Sequence, residues 1–279
     1  MKTTQKTALC GILLHPAAHT RSPAMHSAAY QALGLDAAYL AFDVPPQDLA
    51  IALTGLRALG ARQLSVSIPH KESILPLLDT VDATAQAIGA VNTVVLREGL
   101  LEGSNTDWLG AVTTLEARGP LKGQHAIVLG AGGTARALVF GLRERGADVS
   151  ILNRTESRAT ALAQGFEVRE VGPLARLKDL DHDLLINTTS VGLGSDESPV
   201  DPSWLRPNTT VLDAVYAPEN TRLLKDARNA GAHPISGKWM LIHQAVAQLQ
   251  AWTPAHLWTD TTRSSVTKTM ASAFDHAAA

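Results

Sequence analysis

Ile127-Val128-Leu129-Gly130-Ala131-Gly132-Gly133-Thr134-Ala135-Arg136 reads as a buried strand that breaks into a glycine turn and opens a helix. Gly130 permits the tight turn, and Gly132 has no Cβ to hold a pyrophosphate away. The small Gly133 and Ala135 let the helix pack close on its sheet. The helix N-terminus favours an anion through its free amide groups and its dipole. The pattern predicts a helix from Gly133 to about Arg145, with Leu138 and Leu142 inward and Gly146 as its stop. A second strand, Val149 to Leu152, ends in Asn153-Arg154-Thr155. NAD sites carry an acidic residue at that point for the ribose 2′-hydroxyl, whereas an arginine pairs with the 2′-phosphate of NADP. Thr155 and Arg158 extend the polar cluster. FAD fits less well, because its ribose also calls for an acidic partner. Such a turn also occurs without a ligand, and Arg154 taken alone is a solvated loop charge. Turn, second strand and basic end together point to NADP.

Further polar clusters sit where strands end, the edge at which open α/β sheets bind ligands. They are His19-Thr20-Arg21-Ser22-Pro23, Ser67-Ile68-Pro69-His70-Lys71, Ala90-Val91-Asn92-Thr93, Ser104-Asn105-Thr106-Asp107 and the stretch from Ser236-Gly237 through Gln244. Hydroxyls, amides, a lysine and an aspartate suit a substrate with several hydroxyl groups and a carboxylate. Each cluster also has a bland reading. Ser22-Pro23 is then an N-cap followed by proline at N1. Lys71 is an exposed helix charge, and Asp107 the N-cap of a linking helix. The ten histidines show no HExxH or other metal spacing, so no metal is expected. No GxSxG nucleophile elbow occurs.

The elements that position these residues follow from the pattern of the chain. Its 279 residues suffice for two domains, and 45% hydrophobic with 18% charged residues marks a globular protein. A formal charge of −2 without a Lys/Arg run gives no field for nucleic acid. The lone Cys10 excludes an internal disulfide framework, reads as a small apolar filler in a strand, and fits a reducing cytoplasm. Lys2 and Lys6 precede the apolar run Ala8 to Leu14, which reads as the first strand rather than a secretory signal. No stretch reaches transmembrane length.

Leu9 to Leu14, Ala38 to Phe42, Gln63 to Ile68 and Val91 to Leu96 read as strands. Pro23 to Leu33, Pro46 to Leu59, Lys71 to Leu78 and Asp82 to Ile88 read as helices. From about Leu121 the alternation restarts, continuing through Leu184 to Asn187 and Thr210 to Asp213. Asp107 to Arg118 reads as a helix joining two α/β halves with parallel sheets, ended by Gly119-Pro120. Beyond Gly237 a further helix (Met240, Ile242, Val246, Leu249) runs until Pro254 and is expected to return to the first half. Residues 1–106 and 238–279 then form one discontinuous domain, and 107–237 the other.

In order, the motifs HTRSP, VSIPHK, GAVNT, NTD, GAGGTAR, NRTESRA, INTTSVG, AVY and GKWMLIHQA run from Gly11 to about Trp252. This series resembles the shikimate dehydrogenase family, NADP-dependent enzymes that reduce 3-dehydroshikimate, with quinate-using relatives. The resemblance implies an N-terminal substrate-binding domain with a mainly parallel sheet and a Rossmann-type NADP-binding domain. It implies that Lys71 and Asp107 form the catalytic pair, and that Thr20 and Ser22 hold the substrate carboxylate. Ser67, Asn92, Tyr216 and Gln244 would bind other substrate groups. Gly130, Ala131, Gly132, Gly133, Thr134 and Ala135 of the turn, with Thr188, would hold the cofactor. Asn153, Arg154, Thr155 and Arg158 would hold its 2′-phosphate, and Gly237 and Met240 would lie beside the nicotinamide. Hydride transfer to a ketone builds negative charge on oxygen, which a lysine can protonate while an aspartate orients it.

The chain departs from the family pattern at several points. The family commonly has serine at Thr20, asparagine at Ser65, threonine at Ser67, and glycine at Leu14 and Trp108. Thr20 adds a methyl group to the pocket and Ser67 removes one, so the polyol site is reshaped. Trp108 either crowds the site or fills the hinge. Alternatives are a quinate or other polyol-acid dehydrogenase, and a silent sensor of shikimate-like ligands. Retention of both Lys71 and Asp107 argues against the sensor. Glutamyl-tRNA reductase shares the second half's pattern but needs a catalytic cysteine, and Cys10 sits in an apolar run. The expected partners are a small-molecule substrate, no nucleic acid and no membrane, with a monomer or homodimer in the cytoplasm.

Overall fold

The computed structural model describes residues 3–18 and 20–277; Lys2 and His19, both named above, lie outside them. The chain divides into two compact units, Met1–Thr106 with Gln244–Ala279, and Asp107–His243. The second division falls within a helix, six residues beyond Gly237.

In the first unit the chain forms β1 (Ala8–Leu14), α1 (Ser22–Ala32), β2 (Ala37–Asp43), α2 (Leu49–Ala58) and β3 (Gln63–Val66). It continues through β4 (Thr80–Val81), α3 (Ala83–Ile88), β5 (Thr93–Arg97) and β6 (Leu100–Ser104). These strands build one sheet in the order β2-β1-β3-β5-β6-β4. β1 pairs parallel with β2 and β3, and β4 with β6, while β5 runs antiparallel to both neighbours. The β5–β6 hairpin turns at Glu98 and Gly99, both with positive φ, the two-residue geometry that matches strand twist.

Side chains alternate across the sheet. Leu64 and Val66 of β3 join a core with Leu49, Leu53 and Leu56 of α2, while Gln63 and Ser65 point to the opposite face. Asp82 caps α3, its carboxylate accepting from Ala85 N at 2.6 Å. Cys10 is fully buried in β1, and burial pushes its thiol up to about 11, consistent with a filler role.

The structure corrects one expected helix. Residues 71–78 form successive turns ending in a single 3-10 turn, Leu75–Leu77, not an α-helix opening at Lys71. Pro76 has no N–H for the Glu72 carbonyl, and its ring would collide with it in an α-helix. The strand expected from Val91 starts at Thr93, and β4 and β6 add to the expected strands.

The second unit opens with α4 (Asp107–Glu116), β7 (His125–Leu129), α5 (Gly133–Glu144), β8 (Asp148–Leu152), α6 (Glu156–Ala163) and β9 (Glu170–Gly172). β10 (Leu184–Asn187), β11 (Thr210–Asp213), α7 (Arg222–Asn229) and β12 (His233–Ser236) complete its sheet. α8 (Gly237–Trp252) begins in this unit and ends in the first, which α9 (Asp260–His276) closes. The sheet order β12-β11-β10-β7-β8-β9 is wholly parallel and reverses direction of build between β7 and β10. That is the doubly wound dinucleotide-binding topology. Leu138 and Leu142 of α5 are fully buried with Val112 and Leu115 of α4 on one face. Leu223 and Leu224 of α7 with Leu177 and Leu205 cover the other.

Trp108 has a settled place in this unit. Its ring meets Phe140 edge-on at 5.5 Å, and the Arg145 guanidinium lies 5.7 Å from it. Gly141 makes room for it, since a Cβ there would stand 3.2 Å from Trp108 Cβ. Trp108 therefore fills the α4–α5 interface. No helix among the described residues is long and apolar enough to cross a membrane.

Candidate functional site

In the first unit the polar residues gather at one end of the sheet. The main chain leaving β3 lies against that leaving β1: Ser67 N donates to Leu13 O at 2.9 Å, and His15 N to Ile68 O at 3.0 Å. His70 is fully buried, and burial lowers its pKa, so its neutral ring bonds Val44 O at 2.8 Å. It braces the loop that carries Lys71. Val91 N donates to Lys71 O at 2.8 Å, tying that loop to the residue before Asn92. Lys71, Thr20 and Ser67 are partly exposed, whereas Ser22, Asn92 and Gln244 are buried.

Ser22 is not a simple helix cap. Arg21 occupies the N-cap of α1 without a side-chain cap bond, and Ser22 N donates to Thr20 Oγ1 at 3.3 Å. Arg21 instead lays its guanidinium over Phe274 of α9, 4.3 Å from the ring centroid, and donates to Phe274 O. The two hydroxyls Thr20 and Ser22 thus sit together at the start of α1.

Asn92 is the hub of this end. Its Oδ1 accepts from Thr106 N and Thr93 Oγ1, each at 2.8 Å. Its Nδ2 donates to Thr106 Oγ1 and to Gln244 Oε1, each at 3.0 Å. Thr106 Oγ1 donates in turn to Gln244 O at 3.0 Å. One buried amide thereby fixes the start of β5, α8 and the residue preceding Asp107.

The second unit supplies the glycine turn. Gly130 has φ +115° and supports no side chain, because a Cβ would lie 2.5 Å from Thr188 Oγ1. Thr188 is itself fixed by bonds from its N and Oγ1 to Leu129 O. Gly132 is the N-cap of α5 with no side-chain cap, and a Cβ there would meet nothing within 4 Å. Open space thus lies beside Gly132 at the N-terminus of α5, as a phosphate cradle requires. Arg154 and Arg158 are exposed at the β8 end, and among the described residues neither forms an ion pair. Asn153 Nδ2 donates to Thr155 O at 2.8 Å and sets the shape of that loop.

A buried polar cluster forms at the end of the second sheet. Asp213 is fully buried and accepts from Asn187 Nδ2 at 2.8 Å, Val215 N at 3.0 Å and Thr221 Oγ1 at 2.7 Å. Asn187 also accepts from Thr189 N and Oγ1. This cluster fixes the loops after β10 and β11 that carry Thr188 and Tyr216. Gly237 packs against the same place, where a Cβ would lie 2.5 Å from Asp213 O and 2.7 Å from Ala214 O. Met240 is buried one turn further on. In the sequence, Asn187 and Thr189 lie within INTTSVG and Asp213 directly precedes AVY. Among the described residues no group of three or more His, Cys, Asp or Glu could hold a metal.

Comparison with known proteins gives a consistent result. Residues 12–94 match the family model of the shikimate dehydrogenase substrate binding domain, and residues 113–192 match that of shikimate / quinate 5-dehydrogenase. Shikimate dehydrogenase (NADP(+)) of Moorella thermoacetica is 45% identical over 260 residues, covering 88% of each chain. The crystal structure of shikimate 5-dehydrogenase from Thermus thermophilus with NADP(H) and shikimate superposes with a TM-score of 0.87. It is 40% identical and covers 98% of this chain and 100% of its own. The ligand-free 5-ketofructose reductase of a Gluconobacter species also matches, with a TM-score of 0.83 at 33% identity over 98% of this chain and 99% of its own.

Burial pushes the Asp213 carboxyl up to about 6 from its ordinary 3.8, against the pull of its three hydrogen-bond donors. The folded state then binds the extra proton, so stability falls as pH rises from about 4 to about 6 and levels off above. The loss is on the order of 3 kcal/mol at neutral pH. Asp213→Asn is expected to remove this slope, read as the wild-type minus variant free energy of urea unfolding from pH 4 to 7. Parallel curves would mean that the carboxyl is ionised throughout.

Proposed function

The chain belongs to the shikimate dehydrogenase family, and on that premise we propose how its residues divide the work of reducing 3-dehydroshikimate to shikimate with NADPH, reversibly. The carrying observation is the pair of guanidiniums, Arg154 and Arg158, exposed without ion-pair partners beyond a glycine turn that faces open space. A 2′-phosphate supplies the charge that they lack, and bidentate arginine contacts suit it. Gly130, Ala131, Gly132, Gly133, Thr134 and Ala135 hold the pyrophosphate, with Thr188 supporting the turn. Asn153 and Thr155 complete the 2′-phosphate site, and Gly237 and Met240 line the nicotinamide position. Bound NADPH supplies the hydride for the substrate carbonyl.

The chain's own residues supply proton and position. Lys71 donates a proton to the carbonyl oxygen as charge develops on it, and in the reverse direction accepts the alcohol proton. Asp107 orients the lysine ammonium. Thr20 and Ser22, side by side at the start of α1, bind the carboxylate through their hydroxyls. Ser67, Asn92, Tyr216 and Gln244 bind the remaining oxygens. Asn92 already uses both amide hydrogens within the protein, so a substrate hydroxyl takes over one of them. A single domain built from residues 1–106 and 238–279 binds substrate, and 107–237 binds cofactor. A cytoplasmic location and a monomer or homodimer go with this reading.

A second reading, reduction of another polyol ketone or oxidation of quinate, draws on the likeness to 5-ketofructose reductase and on the reshaping residues Thr20 and Ser67. Steady-state rates with shikimate, quinate and 5-ketofructose, each with the matching NADP or NAD form, distinguish the two. The highest kcat/KM is expected for shikimate with NADP; a preference for quinate with NAD would overturn the proposal. Lys71→Ala should lower kcat by about a thousandfold or more with the fold intact. Arg154→Ala should raise KM for NADPH about tenfold or more and leave KM for NADH nearly unchanged. Equal effects on both cofactors would remove Arg154 from the 2′-phosphate site.

A further inference from the structure

Behind Asn92 lies a second polar chain that no part of the reaction uses. The Tyr39 hydroxyl of β2 donates to Ser65 Oγ at 2.6 Å, and Gln63 Nε2 adds a bond at 3.2 Å. Ser65 Oγ donates to Gln248 Oε1 of α8 at 2.9 Å. Gln248 Nε2 donates to the main-chain oxygen of Asn92 at 2.8 Å. That oxygen also accepts from Val66 N at 2.8 Å, so both its lone pairs are used. Tyr39, Ser65 and Gln248 are all buried, at 4%, 4% and 1% exposure. Tyr39 stacks on His26 with centroids 4.1 Å apart, and burial pushes that imidazole down to about 3, leaving it neutral. The chain is therefore buried and uncharged, with Gln63 Oε1 its one buried atom lacking a partner among the described residues.

Gln248 stands one helical turn beyond Gln244, so the two amides share a face of α8. Gln244 reaches the Asn92 side chain and Gln248 the Asn92 main chain. The remaining buried residues from Leu241 to Leu249, Ile242, Ala245, Val246 and Leu249, are apolar and tolerate rotation or sliding of the helix. The directional bonds of Gln248 do not. We propose that Gln248, anchored by Ser65, is a positioning residue for substrate: it sets the register of α8 on the sheet and thereby aims Gln244 and Asn92. The inference rests on the reading of Gln244 and Asn92 as substrate-binding residues.

Steady-state kinetics of Gln248→Met, with similar volume and no hydrogen bonds, test the proposal. KM for shikimate is expected to rise about five- to thirtyfold, the cost of one or two buried hydrogen bonds expressed as affinity. KM for NADP should stay within about twofold, because its residues lie in the other unit. Ser65→Ala should shift shikimate KM in the same direction, and the double variant should be less than additive. Gln248→Glu gives a readout that general destabilisation would not. Its protonated carboxyl can both accept from Ser65 and donate to Asn92, whereas the ionised form cannot donate. The ratio of its shikimate KM to that of the wild type should fall as pH is lowered.

A folded Gln248→Met variant with unchanged shikimate KM, or with both KM values raised alike, overturns the proposal. Should that variant not fold, Ser65→Ala decides by the same two readings. Gln244→Ala and Asn92→Ala run alongside. Movement of shikimate KM in these two but not in Gln248→Met or Ser65→Ala defeats only this inference. No movement in Gln244→Ala and Asn92→Ala defeats the reading of the site, and this inference with it.

Discussion

A buried primary amide must find partners for two donors and two acceptor positions, and Asn92 meets that demand entirely within the protein. Leaving any of these groups unpaired in a dry interior costs about 1–3 kcal/mol. Satisfying all of them requires Thr93, Thr106 and Gln244 to arrive together, the last from 152 residues further along the chain. The strands and loops of the first unit are accordingly tied to one point. The main-chain carbonyl of the same residue adds β3 and the next turn of α8. Apolar packing of Leu53, Leu64 and Val94 holds these elements close without fixing their register. The amide supplies the register.

The second unit solves a similar problem with a carboxylate and close backbone approach. Asp213 gathers Asn187, Val215 and Thr221, so the loops after β10 and β11 leave the sheet in one arrangement. Two glycines depend on that arrangement. Gly130 passes beneath Thr188, and Gly237 passes against Asp213 O, in each case closer than any Cβ permits. The dinucleotide edge is thus held by both a local motif and buried polar bonds that lie outside it. At that edge the sheet order reverses between β7 and β10, where parallel sheets open a crevice.

Legibility in the sequence follows the range of the interaction. Gly130, Gly132 and the helix to Glu144 are readable because a turn and its helix are set within about a dozen residues. Helical period places Leu138 and Leu142 inward, and both are fully buried. Lys71 reads as part of a helix because apolar residues recur after it, but Pro76 overrides that pattern. The β5–β6 hairpin is hidden because its turn, Glu98-Gly99, lacks the asparagine or aspartate that usually marks it. Trp108 cannot be placed from its neighbours, since its partners Phe140, Gly141 and Arg145 lie on another helix. Ser65, Gln248 and Asp213 act through residues of other elements, and no spacing rule reports such bonds.

The distinction between local and long-range determinants bears on what each half of the chemistry tolerates. A phosphate is bound by backbone amides and by arginines whose own placement needs only a turn and a strand end, so the cofactor is written in short motifs. A polyol substrate must be met by several side chains in one mutual arrangement, and a displacement of about 1 Å is enough to lose it. On the proposed reading, that arrangement hangs on Asn92 and on the helix that carries both Gln244 and Gln248. On the proposed reading, the motif residues Thr20 and Ser67 change the shape of the pocket by a methyl group each. Where asparagine is expected at position 65, Ser65 stands with Gln248 reaching to it from α8. An amide therefore lies behind Asn92, and it comes from α8. If Asn92 and Gln244 bind the substrate, its preference is set as much by the residues that hold them in place as by the binding groups themselves.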